Sequence, residues 1–226
     1  MIRALLFKEW LKVRGVYAVL WGLHLAAGAY ALVSLRGLFA GAHPETLWYQ
    51  AAVLGLFPYG ILRHLPWAGG LALAVAQQLP EIRGKRLRLT LHLPIAPQAA
   101  MACALGLGTG LCLSLSLFDA AVALALSLSR FPLEIALAHL IALAPLEAAG
   151  LAASLGATFV LLEPSPGRAG FMLGLTAMAV AIFLIPAAPG AWADGPAAAM
   201  GLALLAGLAV APFLALTRQR LTGKNQ

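Results

Sequence analysis

Apolar residues run along this chain in long unbroken stretches, separated by short clusters of charge, Gly and Pro. The stretches are too long for strands and carry no polar face for water. A membrane-crossing helix needs about 20 apolar residues. The pattern predicts six spans: 16–35, a second with its core at 65–79, then 99–118, 135–162, 169–185 and 197–216. Before the first span, Ile2, Leu5, Leu6, Trp10 and Val13 recur at helical steps, with Arg3, Lys8, Glu9, Lys12 and Arg14 on the other side. Residues 1–14 therefore read as an amphipathic interfacial helix, and Gly15 offers a break before the apolar run.

Segment 46–79 is ambiguous, because Pro58, Arg63, His64 and Pro66 interrupt it. It holds either one span or two, and charge decides. The N-terminus carries Arg3, Lys8, Lys12 and Arg14; the next cluster carries Arg83, Lys85, Arg86 and Arg88. One intervening return places both clusters on the same side, as cytoplasmic enrichment of Lys and Arg requires. Arg168, Arg218, Arg220 and Lys224 then fall on that side too, while only Arg36, Arg63 and Arg130 lie outside. The 15 residues of the second core extend back toward Val53, and segment 46–64 sits on the outer side with no assigned role.

Composition agrees. Hydrophobic residues make up 62% and charged residues only 10% of 226, against about 25% charged in a soluble domain. Mean hydropathy is +0.91. Abundant Ala, Leu and Gly suit closely packed membrane helices. In a chain of this kind the net charge of +7 reports orientation and gives no reason to expect nucleic acid. Cys103 and Cys112 share one helix about 13 Å apart, too far for a disulfide. No secretory signal pattern is evident at the N-terminus. The expected fold is an all-α polytopic membrane protein: a single transmembrane domain, 1–226, with six transmembrane helices, an N-terminal interfacial helix and both termini cytoplasmic.

Catalytic signatures are absent. Gly84-Lys85 and Gly223-Lys224 lack the upstream glycine and the Ser or Thr of a phosphate-binding loop, and no zinc-protease or nucleophile-elbow motif occurs. The chain is not expected to be an enzyme by itself. Ionisable groups inside spans are candidates for function. Glu147, just after Pro145, and His24 either line a translocation path or serve packing. Asp119 and Glu134 are expected near the outer surface. A different class of function is a haem-carrying or quinone-reactive anchor of a respiratory complex, using His24, His64 or His139 as axial ligands; depth leaves His64 with His139 as the only workable pair.

The stretch after the second span supplies Glu81, Gly84, Leu87, Leu89, Leu91 and then Leu93-Pro94-Ile95, and the chain begins Leu-Leu-Phe-Lys-Glu-Trp at Leu5–Trp10. In these features, and in the order of its spans, it resembles permeases of the ABC-2 transporter superfamily, although Lys85 stands where that family often has Thr. The resemblance implies a non-catalytic permease subunit in a bacterial inner (plasma) membrane. It implies a cytoplasmic coupling segment, 81–97, in which Glu81, Arg83, Lys85, Arg86, Arg88, Leu91 and Pro94 contact a separate ATPase. The same basic residues also suit anionic lipid headgroups. Implied partners are a dimer of ABC ATPase subunits, which hold ATP and Mg, a second permease copy or related permease, and the lipid bilayer. No cofactor is implied in this chain. Apolar spans and short outer loops favour export of a lipid-like or amphipathic cargo over uptake.

Overall fold

The computed structural model describes residues 2–41, 44–54, 56, 60–83, 96–185, 192 and 195–223. Seven α-helices and one 3-10 turn account for nearly all of them: α1 (Ile2–Gly41), α2 (Pro44–Ala52), the turn Gly60–Arg63, α3 (Leu65–Arg83), α4 (Pro97–Leu128), α5 (Leu133–Leu162), α6 (Pro166–Leu184) and α7 (Gly195–Gly223). No strand occurs among the described residues. Pro97 and Pro166 occupy the first turns of α4 and α6, where a missing N–H costs nothing.

Five helices, α1 and α4 to α7, are long and apolar enough to cross a membrane, as expected of a multi-pass membrane protein. Their outward side chains, such as Leu117, Phe171 and Leu202, are exposed apolar groups suited to lipid. Helix α3 is not among the five. It has 19 residues, and its last turns carry Gln77, Gln78, Glu81 and Arg83. Gln77, Gln78 and Glu81 are buried in protein, which explains how a polar helix can sit within the bundle.

Helix α5 is the centre of the bundle and packs against α3, α4, α6 and α7. Its contact with α3 is backbone to backbone. A Cβ added at Gly70 would strike the carbonyl oxygen of Gly150, and one added at Gly150 would lie 2.8 Å from the carbonyl oxygen of Pro66. Glycine is required at both positions by this approach, the device that lets membrane helices pack tightly. Helices α1 and α4 run side by side in the same direction. Tyr17 meets Ser114, His24 meets Asp119 and Gly28 meets Val122, a near-constant offset along both helices. Helix α3 runs antiparallel to α1, so that Gln77 and Glu81 return to Glu9 and Lys12. One cavity of about 40 Å³ is lined by Leu5, Lys8, Gln78, Pro97 and Leu216, which brings the start of α1, the end of α3, the start of α4 and the end of α7 to one end of the bundle. That end is called the basic end below.

Two expectations need correction. Helix α1 is continuous for 40 residues, and Gly15 does not break it. Leu5, Glu9 and Val13 are buried, so residues 2–14 extend the first long helix as part of the bundle, without a separate interfacial element. A single Gly costs a helix only about 1 kcal/mol, which such packing outweighs. Asp119, expected near the surface, is fully buried, because α4 runs 32 residues and continues to Leu128. Glu81, the first residue of the expected coupling segment, is turned into the bundle and only 5% exposed. Segment 46–64 also gains a role: Leu62 is buried among Ala31, Leu35, Leu126 and Leu143, and Trp48 packs edge-on against Phe131.

Candidate functional site

Polar side chains buried in an apolar bundle need partners, and here they collect at three levels along α4. At the basic end, Lys12 bridges Glu9 at 2.7 Å and Glu81 at 3.1 Å, while Lys8 reaches Glu81 at 2.9 Å. Gln77 donates through Nε2 to Glu9 at 3.0 Å and to the carbonyl of Ala104 at 2.8 Å. Its Oε1 occupies space that Gly108 leaves open. The buried Glu81 carboxylate is thus met by two ammonium groups, which offset the cost of taking it out of water. The result is a clamp between the first turns of α1 and the last turns of α3.

The middle level joins α1, α4 and α5. His24 Nδ1 lies 2.8 and 2.9 Å from the two carboxylate oxygens of Asp119, with both residues fully enclosed. Ser116 hydrogen-bonds Glu147. A cavity of about 10 Å³ lies against His24, Gly69, Gly70, Cys112, Ser116 and Glu147. His24 Nε2 and Glu147 Oε1 are buried without a hydrogen-bond partner. One helical turn or more toward the basic end, the Tyr17 hydroxyl meets Ser114 Oγ at 2.7 Å.

At the opposite end Ser127 Oγ is 3.0 Å from His139 Nδ1, and Phe131 packs edge-on to the same imidazole. His64 is exposed and accepts a hydrogen bond from Trp67 Nε1 at 3.3 Å. The three histidines weighed as haem ligands thus sit in three separate settings, with His64 exposed and His139 buried. No group of three or more His, Cys, Asp or Glu able to hold a metal ion occurs among the described residues.

The structure brings Glu147 and His24 together, as two residues of one cluster. Arg83 is exposed at the end of α3. Lys85, Arg86, Arg88, Leu91 and Pro94 lie outside the described residues. Sequence reasoning missed Asp119 as the partner of His24 and missed the buried set Glu9, Gln77 and Glu81. A signal existed for the second: Gln77, Gln78 and Glu81 recur at helical steps directly after an apolar run. No family model, curated protein or solved structure matches this chain.

Proposed function

We propose that the chain is the permease subunit of an ABC-type transporter, crossing a bacterial inner membrane six times with both ends in the cytoplasm. Helix α3 supplies the sixth crossing; its 19 residues extend about 28 Å, close to the thickness of a hydrocarbon core. The charge distribution supports the orientation, since the basic end holds Lys8, Lys12, Arg83 and Arg218. ATP hydrolysis belongs to a separate ATPase dimer, and a second permease copy or a related permease completes the complex. Lipid-like or amphipathic cargo leaves the cell along a path to which Glu147 and His24 contribute.

The observation that carries this reading is the clamp of Glu81 with Lys8 and Lys12. It ties α1 to α3 at the point where the chain enters the basic segment 84–95. A push received there by a partner passes into two long helices at once. The resemblance of residues 81–97 to an ABC-2 coupling segment names the partner's class.

Replacing Arg86 and Arg88 together by Glu tests the reading. Like charges set against each other at an interface cost several kcal/mol. The expected result is normal membrane insertion with at least tenfold weaker co-purification of the ATPase and a matching loss of transport. Normal assembly and transport in that variant would mean that these arginines meet only lipid, and recovery of an isolated monomer with bound haem would overturn the reading altogether.

A further inference from the structure

The middle level of the bundle holds more ionisable groups than packing alone requires. His24 comes from α1, Asp119 from α4 and Glu147 from α5, while α3 closes the space with Pro66, Gly69 and Gly70. Cys112 of α4 also faces the cavity. Among the described residues no Lys or Arg lines it.

Charge counting decides what such a set binds. Two carboxylates and an imidazole that keeps one N–H carry a charge of about −2 when otherwise deprotonated, and a buried set in a low-dielectric bundle is driven toward neutrality. A His24 carrying protons on both nitrogens would balance Asp119, from which its Nδ1 lies 2.8 Å. Glu147 then has no cation of its own and is neutral only when it holds a proton. Two atoms point the same way. His24 is 1% exposed, yet its Nε2 has no hydrogen-bond partner, and neither has Glu147 Oε1. Both residues line one cavity of about 10 Å³, the volume swept by the centre of a single water molecule. A water there accepts from His24 Nε2–H and donates to Glu147 Oε1, satisfying both orphaned atoms.

We propose that His24, Asp119 and Glu147 form a proton-binding site inside the bundle, with one water linking His24 Nε2 to Glu147 Oε1. With Glu147 protonated the site is neutral. When Glu147 gives its proton to solvent, an uncompensated negative charge remains where α1, α3, α4 and α5 meet, and it favours parting of that seam to admit water. In that state a proton passes from Nε2 to the water oxygen while one of the water's own protons passes to the Glu147 carboxylate, leaving a neutral imidazole and a carboxylic acid. Proton occupancy therefore sets whether the seam is closed. The inference does not depend on what drives the chain.

Infrared spectroscopy of the full chain in lipid nanodiscs tests it, because a protonated carboxyl has a C=O stretch that carboxylates lack. The wild-type protein should show a carboxylic-acid band at neutral pH that shifts on labelling with carboxyl-13C glutamate, disappears on alkaline titration, and ignores replacement of choline by sodium in the buffer. Glu147→Gln should remove the band, and Asp119→Asn should alter its frequency. Absence of the band at neutral pH would overturn the proposal. So would a band unmoved by labelled glutamate, one that survives in Glu147→Gln, or one that sodium removes, the last marking a cation site instead. If Glu147→Gln does not fold, Glu147→Asp decides: the band should persist but no longer shift with labelled glutamate, and a band that still shifts would overturn the proposal.

Discussion

Lys12 Nζ stands 3.1 Å from Glu81 Oε1, an ion pair that joins the first turns of the chain to the last turns of α3 across 69 residues. Both side chains are about nine-tenths buried, so water screens the pair little. Removing one partner of a buried pair strands the other, and this is where such pairs matter most.

Glu81→Gln is therefore expected to lower stability by about 3 kcal/mol, the low end of the range for a broken buried pair, since Lys8 is 38% exposed and partly screened. Thermal melts of the two proteins in detergent would show the loss; equal melting temperatures would remove Glu81 from the clamp.

Gly70→Ala should damage the bundle much more than Gly22→Ala. At Gly70 the new methyl meets the backbone carbonyl of Gly150, which cannot rotate away, whereas nothing lies within 4 Å of a Cβ at Gly22. The expected loss is about 3 kcal/mol at Gly70, the upper part of the overpacking range. Gly22→Ala should leave stability unchanged or raise it by up to about 1 kcal/mol through helix propensity. Size-exclusion profiles after graded heating would rank the two variants.

Arg218 and Glu163 fasten α7 to the end of α5, with Nη1 2.7 Å from Oε2 and the Glu163 side chain fully buried. Arg218→Ala leaves that carboxylate in place with, among the described residues, the distant Ser165 amide beside it at 3.4 Å. It should cost about 2–3 kcal/mol, while Glu163→Gln should cost less because it removes the charge together with the bond. The reverse order in thermal melts would contradict the burial argument.

Reporter fusions separate six crossings from five. A crossing by α3 places the N- and C-terminal fusions on one side and a fusion after Gly41 on the other. If α3 does not cross, the two termini must report opposite sides.

Much of this fold is legible in the sequence, and the reasons differ by element. The spans ending in α5, α6 and α7 declare themselves through apolar length alone, and Glu147 stands out because it interrupts one of them. Asp119 does not. A span allotted about 20 residues ends near Phe118, and only the 32-residue reach of α4 carries the carboxylate inside. The same limit applies to residues 2–14, whose periodic charges fit a helix on a membrane surface as well as one that turns Glu9 and Lys12 into a clamp. Gly70 and Gly150 are two of 23 glycines, and nothing in their neighbours marks them as the pair that touches.

Helix α1 is unbroken over 40 residues, about 60 Å, and His24 binds Asp119 near its midpoint. Such a rod acts as a lever with a fulcrum. About 33 Å separate His24 from Ile2 and about 26 Å separate it from Gly41. Any tilt of α1 about the His24–Asp119 contact swings its two ends in opposite directions by similar amounts. A pull on Lys8 and Lys12 that narrows one mouth of the bundle then widens the other, with no need for a hinge within the helix.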